Sequence, residues 1–418
     1  MRATSLCLAL TCACASTPAE SPSAQSPAPA TTRRFDVAFE GVVDLEAHLA
    51  NPGDTVPVAL RWVQHCSEAV CLVERTTGEA EHASTVRIWS TPEAVWAEGE
   101  AHRMDRFAAA HHRRLLELFT PPGDVALVEV EYAHPRLGRT LDVARYHDSN
   151  PVTVDVEVHD ADIAWRGALT ARELDGTPQL DPPASPPESV WPAPDIRDLG
   201  DGLWDVRIPE FDARSFVVEF ESFVVAIEAP WSSDAGAQVV DLVQKTLAKP
   251  IRYVLYSHHH PHYTGGLRAF MAAGATVVAP SVHQSFVRSI AELDFSLEPD
   301  ALAEAGPTDV AIIPFEGSFT IAEAGASLEA IDIGERSNHT SAYTMVWLPQ
   351  SKTLIQGDLG WFTAPDGEIR VGGRSKGLLQ AIDEHALPVE RMVQSWPVRG
   401  QAPTLGMDAF RSAVESAE

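Results

Sequence analysis

Four histidines within five positions, directly after an apolar segment, constrain this chain more than any other feature. The segment IRYVLY (251–256) is typical of a buried β-strand, and the run SHHHPH (257–262) follows it. A strand end holds side chains on a rigid scaffold, and imidazole is the commonest protein metal ligand. In an extended segment, His258, His260 and His262 share one face. The run therefore predicts a metal site, with a solvated histidine-rich loop as the alternative.

Four further positions in and after the histidine run have expected roles. Gly265 and Gly266 are predicted to let the backbone turn tightly into a helix. His259 is expected to face away from the metal side, because side chains alternate along an extended segment. His283 lies in a predicted helix at 281–293 and is expected at the surface.

The order of motifs resembles the metallo-β-lactamase superfamily. A strand, then Ser-His-x-His-x-x-x-x-Gly-Gly, then a helix is similar to that family's His-x-His-x-Asp-His segment. Asn-His-Thr at 338–340 and Gln-Gly-Asp at 356–358 follow later strands in the order that the family shows. The resemblance covers about residues 196–418 and implies a four-layered αββα sandwich. For the whole chain it implies the α+β class, with a β-rich domain preceding the sandwich.

The resemblance also implies a ligand set. His258, His260 and His339 fill the three positions of the family's first zinc site, and Asp358 fills the position of its metal-bridging aspartate. Three neutral imidazoles and one water form an open tetrahedral zinc site. One zinc ion is therefore the expected cofactor.

The second zinc site departs from the family pattern. His262 stands where the family has aspartate, Tyr263 where it has the adjacent histidine, and Arg399 where its last histidine is expected. His262 is either a replacement ligand or a proton shuttle. Tyr263 either donates to an oxyanion or is simply packed. Arg399 either binds an anionic group of a substrate or forms a surface salt bridge.

Together, these residues and the family resemblance predict a zinc-dependent hydrolase with a mononuclear or altered metal site. Zinc-bound hydroxide would attack an ester or amide-type bond of a small-molecule substrate. Asp358 would act as a fourth ligand or would orient the water. The alternative is a non-catalytic binding or structural protein of the cell envelope that keeps the fold. A third reading, a metal-sequestering envelope protein, depends only on the histidine density.

The charge balance excludes some partners. The chain has 418 residues, and 31 Lys and Arg against 59 Asp and Glu give a net charge of −28. Such a chain repels phosphate backbones, so a nucleic-acid partner is not expected. Residues 242–291 contain no acid and five basic residues, and this stretch includes the whole histidine run.

The N-terminus predicts export. Residues 1–15 combine one arginine, a short apolar run and small residues, as a signal peptide does. Ala13-Cys14-Ala15 fits a cleavage site, whereas Cys14 alone fits the lipidated cysteine of a lipoprotein. The expected location is thus the cell envelope, as a lipoprotein, or the periplasm or medium. A lipid anchor would be the only membrane contact.

Two proline-rich segments divide the rest of the chain. Residues 16–34 are predicted to form a flexible tether, and residues 180–195 a linker between a β-rich domain of unknown role (35–179) and the domain at 196–418. Cys66 and Cys71 are the only cysteines after the signal. In an exported protein they are expected to form a disulfide, with two buried thiols as the alternative.

Overall fold

The structure is a computed structural model. It describes residues 33–45, 50–67, 70–77, 84–100, 102–104, 106–119, 126–149, 151–159, 163–175, 180, 187, 191–306, 309–362, 369–400 and 404–417. The predicted signal peptide, Cys14 and nearly all of the predicted tether lie outside these residues, as does most of the predicted linker. Those interpretations stay predictions.

The N-terminal region is built on one antiparallel sheet. Within the described residues it has nine strands, in the order β5-β4-β3-β2-β1-β9-β8-β7-β6. They are β1 (Arg33–Leu45), β2 (Val56–Cys66), β3 (Cys71–Thr77), β4 (Ser84–Ser90), β5 (Val95–Ala97), β6 (Leu127–His134), β7 (Gly138–His147), β8 (Val152–His159) and β9 (Ile163–Glu173). Buried and exposed residues alternate along β7, as expected for a sheet with one covered face.

Cys66 and Cys71 form a disulfide bond. They lie directly opposite each other at the end of the β2–β3 hairpin, because the antiparallel register pairs these two positions. The structure therefore has the disulfide and not the two free thiols.

The C-terminal region contains two further sheets. The first has the order β10 to β16, with parallel pairing from β13 to β16. Its strands are β10 (Asp195–Asp198), β11 (Leu203–Ile208), β12 (Ala213–Glu219), β13 (Val224–Ile227), β14 (Ile251–Leu255), β15 (Thr276–Pro280) and β16 (Ile312–Phe315). The parallel strands β13 and β15 are buried along almost their whole length, as expected where both faces of a sheet are covered.

The second sheet has the order β17-β18-β19-β20-β23-β24, and a small hairpin stands apart from it. These strands are β17 (Ser318–Glu323), β18 (Ala326–Asp332), β19 (Thr344–Leu348), β20 (Thr353–Ile355), the hairpin strands β21 (Trp361–Phe362) and β22 (Ile369–Arg370), β23 (Arg391–Val393) and β24 (Thr404–Gly406).

Eight helices are described. They are α1 (Arg106–Phe119), α2 (Ser233–Leu247), α3 (Pro261–Thr264), α4 (Leu267–Ala272), α5 (Gln284–Ala291), α6 (Ala301–Ala305), α7 (Gly373–Glu384) and α8 (Met407–Ser416). Among these described helices, none has the length and apolar character needed to cross a bilayer.

Three apolar clusters organise the C-terminal layers. One cluster joins the facing sides of the two sheets, with Phe216 and Leu255 from the first and Val346 from the second. A second cluster packs α2, α4 and α5 on the outer face of the first sheet. A third packs α7 and α8 on the outer face of the second sheet. The predicted α+β class, with an αββα sandwich after a β-rich region, is confirmed.

The two glycines after the histidine run form the turn that leads into α4, as the sequence predicted. Gly265 is in the right-handed helical region and caps the end of α3, and Gly266 caps the start of α4. A Cβ on Gly265 would lie 2.0 Å from the Trp231 carbonyl oxygen, and one on Gly266 would lie 2.8 Å from the Pro230 oxygen. Both residues are therefore needed because two backbones approach closely, which fixes the histidine loop against the end of β13.

Candidate metal centre

Three histidines converge at one edge of the sandwich. One ring nitrogen each from His258, His260 and His339 lies within 4.8 Å of the others. The ring centroids are 4.3 to 4.7 Å apart, and Nε2 of His258 lies 2.8 Å from Nδ1 of His260. His258 and His260 are buried, and the side chain of His339 is 3% exposed. The structure thus brings together the three residues that the sequence predicted for a first metal site.

His258 is held by a neighbouring hydroxyl. It follows the end of β14, where Oγ of Ser257 lies 3.0 Å from its Nδ1. The ring packs against Tyr343 with centroids 4.7 Å apart. Burial lowers the pKa of His258 well below its usual range, and the charges of His260 and His339 lower it further. A neutral imidazole is the form that binds a metal ion.

His339 is presented by a tight turn. A 3₁₀ turn at Gly334–Ser337 is followed by Asn338 in the left-handed conformation. The Ser337 hydroxyl accepts hydrogen bonds from the amides of His339 and Thr340. A Cβ at Gly377 of α7 would lie 1.9 Å from the Arg336 oxygen, so α7 packs directly on this turn. The loop that carries His339 is therefore fixed on both sides.

His262 is not part of the three-histidine group. The sequence analysis placed His258, His260 and His262 on one face of an extended segment, and this was wrong. Pro261 is the first residue of α3, so the extended segment ends at His260 and His262 is rotated away. The His262 ring lies between Trp231 and Trp396, at centroid distances of 4.6 and 4.5 Å.

One hydroxyl of the centre is buried without a hydrogen-bond partner among the described residues. It belongs to Tyr263, whereas Nε2 of His339 has a contact with Oδ2 of Asp358 at 3.5 Å. Tyr263 packs on His258 with centroids 4.4 Å apart, and it is 1% exposed. Burying such a hydroxyl unpaired costs about 1–3 kcal/mol. A metal ion on the three imidazoles and a water beside it would remove this cost, so the donor set fits the metal that the sequence predicts.

Asp358 lies beside the histidines. Its Oδ2 is 3.5 Å from Nε2 of His339, and its Oδ1 accepts a hydrogen bond from the Tyr343 hydroxyl at 3.0 Å. Burial raises the pKa of Asp358, but the contact with His339 and the charges of His339 and Arg374 outweigh it and lower the pKa to about 2. The carboxylate is thus ionised and held in place at neutral pH.

Arg374 supplies a cation that sequence reasoning missed. It lies in the first turn of α7, and its Nη1 donates to Oδ2 of Asp358 at 3.1 Å. Its side chain is 30% exposed, so part of the guanidinium faces solvent. The two residues are 16 positions apart and on different elements, and no local pattern links them.

Arg399 lies against Asp212 and Trp191. Its backbone amide donates to Oδ1 of Asp212 at 2.6 Å, its Nε lies 3.4 Å from the same oxygen, and its guanidinium lies over the ring of Trp191. Its side chain is 51% exposed. Within this C-terminal segment, Trp396 is the residue that reaches the histidine run, through His262. The substrate-binding role of Arg399 stays a prediction.

Glu228 is a buried acid behind the centre. It is 0% exposed, has φ of 73°, and accepts hydrogen bonds from the Ser257 amide at 2.9 Å and the Ser395 hydroxyl at 2.8 Å. Burial raises its pKa to about 7. Ser257 also contacts His258, which is a candidate metal ligand. Glu228 therefore fixes the serine that holds this ligand in place.

Replacing Glu228 with Gln is expected to change how stability depends on pH in the metal-free protein. The unfolded carboxyl ionises near pH 4.5, whereas the folded one keeps its proton to about pH 7. As the pH rises between these two values, the free energy of unfolding of wild type therefore falls by roughly 3 kcal/mol. The variant does not show this fall. Denaturant unfolding of both proteins from pH 4.5 to 7.5 measures the difference. A difference that is constant with pH would contradict the assignment.

The comparisons with known proteins agree with the resemblance. A sequence model described as the metallo-beta-lactamase superfamily matches residues 234–393, which include the three histidines and Asp358. The family resemblance predicted from the sequence is confirmed for this part of the chain. A search of curated proteins gives no match.

Solved structures with a similar fold are metallo-beta-lactamases. One from Pontibacter korlensis has 16% identity and a TM-score of 0.39, and the match covers 53% of this chain and 97% of that one. FIM-1 from Pseudomonas aeruginosa, in its mono-zinc form, has 19% identity, a TM-score of 0.39 and coverages of 54% and 96%. One from Hirschia baltica has 17% identity, a TM-score of 0.36 and coverages of 53% and 95%. These likenesses concern the fold alone.

Proposed function

We propose that this chain, whose residues 234–393 match the metallo-beta-lactamase superfamily, is a metal-dependent hydrolase that uses one zinc ion. Its substrate is a small molecule with an ester or amide-type bond. The observation that carries the proposal is the convergence of ring nitrogens from His258, His260 and His339 within 4.8 Å, beside a buried carboxylate.

The donor set suits zinc. Three neutral imidazoles with an open fourth position form the arrangement found in catalytic zinc sites. When bound there, zinc supplies Lewis acidity and lowers the pKa of water to about 7. The rest of the chemistry depends on how the side chains of this chain hold and move a proton.

Asp358 is the residue that orients the water in this proposal. Its pKa of about 2 keeps it ionised, and Tyr343 and Arg374 fix the direction of its two oxygens. A carboxylate fixed in this way orients a water molecule and accepts its hydrogen bond. The Tyr263 hydroxyl, buried and unpartnered among the described residues, donates to the oxyanion that develops on the substrate.

Two features support one metal ion and not two at this three-histidine centre. The ring of His262 lies between two indoles, at Trp231 and Trp396, where the family pattern has metal ligands around the second site. The guanidinium of Arg374 on Asp358 adds a positive charge that would repel a second cation. Because Arg374 is partly exposed, it also offers a donor to an anionic substrate group.

Replacing Asp358 with Asn is expected to lower kcat by about 10²-fold, because the carboxylate that orients the attacking water is lost. The assay is a panel of ester, lactone and phosphodiester substrates with zinc-loaded protein, and the zinc content of each variant is measured in parallel. The matched control is Asp408→Asn, an exposed position on α8 that should leave kcat unchanged.

Two results of this assay would overturn the proposal. Zinc-loaded wild type that is inactive on every substrate would favour the non-catalytic binding protein. Unchanged turnover of the Asp358→Asn variant would remove Asp358 from the reaction.

A further inference from the structure

Two further buried histidines, His259 and His283, lie outside the three-histidine group. His259 and His283 are 3% and 2% exposed. The sequence analysis expected His283 at the surface, and this was wrong. A 3₁₀ turn at Ser281–His283 precedes α5 and places the ring against Tyr256 and Phe286, at centroid distances of 5.9 Å each.

Three ring nitrogens of this pair are buried without a partner. Among the described residues, neither Nδ1 nor Nε2 of His259 has a hydrogen bond, and Nε2 of His283 has none. Such atoms destabilise the fold when nothing binds them. Buried polar groups in native proteins are rarely left in this state, and a bound ion or an ordered water is the usual explanation.

Both residues line a cavity of about 630 Å³. Phe286 forms an apolar part of its wall, Ser341 a polar part, and the loop between β1 and β2 contributes Asn51–Gly53. The Ser341 amide donates to the Ala50 oxygen at 3.0 Å, which joins the β1–β2 loop to the His339 loop. The cavity has room for an ion with several water molecules.

We propose that this cavity is a second metal site, in which His259 and His283 bind a divalent first-row transition-metal ion. Their ring centroids are 5.8 Å apart with planes at 77°. Two imidazoles on one ion, each with a bond of about 2.1 Å, have centroids roughly 5–6.5 Å apart. Water molecules and hydroxyl oxygens of the cavity complete the coordination.

The chemistry of the two rings favours a cation. A neutral imidazole has one nitrogen that donates and one that carries a lone pair, so each of the two buried rings has one nitrogen that can bind a cation. The Tyr256 oxygen lies 3.3 Å from Nδ1 of His283. If that Nδ1–H donates to the tyrosine, Nε2 is free to bind a metal, as in many histidine ligands.

The charges around the cavity agree with this choice. Among the described residues that line it, there is no lysine or arginine to repel a cation. Imidazole ligands bind zinc, nickel and copper well, whereas magnesium and calcium prefer oxygen.

The test counts zinc ions by calorimetric titration of metal-stripped full-length protein with ZnCl₂. Wild type is expected to bind two ions per chain. The His283→Ala variant should bind one, because the second site weakens at least tenfold, and His339→Ala should also bind one, because the three-histidine site is lost. The exposed His385→Ala variant is the matched control and should bind two. His283→Gln, closer in shape, replaces His283→Ala if the latter does not fold.

The outcomes separate this site from the proposed function. Equal uptake by wild type and His283→Ala would overturn the second site and leave the cavity to water. If wild type binds a single ion and the His339→Ala variant binds none, the second site would also be overturned, while the hydrolase proposal stands. A single ion that is lost in His283→Ala but kept in His339→Ala would support the second site and overturn the proposed catalytic centre.

Discussion

Replacing both His258 and His260 with alanine is expected to lower the affinity of the main site for zinc at least 1,000-fold. Structural zinc sites contribute about 10–16 kcal/mol, shared among their ligands. Loss of two of three imidazoles should therefore cost more than the roughly 4 kcal/mol that corresponds to 1,000-fold. Competition with a chelator of known affinity measures the change, and turnover should fall in parallel.

Two checks accompany the double variant. Its melting temperature without metal should stay close to that of metal-stripped wild type, which shows that the fold is kept. The His385→Ala variant removes one exposed histidine and should keep the wild-type affinity. A double variant that competes for zinc as well as wild type would place the main metal site elsewhere.

The Gly357→Ala variant is expected to destabilise the C-terminal domain by roughly 2–5 kcal/mol and to displace Asp358. Gly357 has φ of 65°, and a Cβ there would lie 2.1 Å from the Tyr343 hydroxyl and 2.9 Å from Ser257. Left-handed backbone costs about 1–2 kcal/mol for alanine. Overpacking adds about 1–3 kcal/mol. Because Tyr343 binds both the amide and the carboxylate of Asp358, zinc affinity should fall as well.

Gly325 provides the matched control for this variant. It has φ of 88° in the hairpin between β17 and β18, and a Cβ there would meet nothing within 4 Å. The Gly325→Ala variant should therefore be destabilised only by its left-handed backbone, by about 1–2 kcal/mol, and should keep wild-type zinc affinity. Chemical unfolding and zinc titration of both variants separate the two effects. Equal losses in the two variants would rule out the contact with Tyr343 as the cause.

Part of the metal centre could be predicted from the sequence because His258 and His260 lie just after a strand, β14. Asp358 follows β20 in the other sheet, and His339 follows the 3₁₀ turn after β18. That these two residues join the histidines was implied by the family resemblance, which depends on the order of short motifs.

The direction of His262 was wrong because the helix start was overlooked. Proline is common at the first position of a helix, and Pro261 begins α3. That signal was present in the sequence and would have ended the extended segment at His260.

Other contacts could not be predicted because they depend on tertiary packing. Arg374 reaches Asp358 only because α7 packs on the turn that carries His339. Trp396 meets His262 through the position of the loop after β23. Glu228 gave a weak signal, since an acid stood within the apolar segment FVVAIEA (223–229).

The most direct measurement of the central claim is the zinc content and zinc coordination of purified wild-type protein. We predict that the protein retains zinc through dialysis. We also predict that X-ray absorption at one zinc per chain shows three imidazole nitrogens at about 2.0–2.1 Å. Protein that retains no zinc and binds none when it is added, or zinc in a shell without imidazole, would contradict the metal centre formed by His258, His260 and His339.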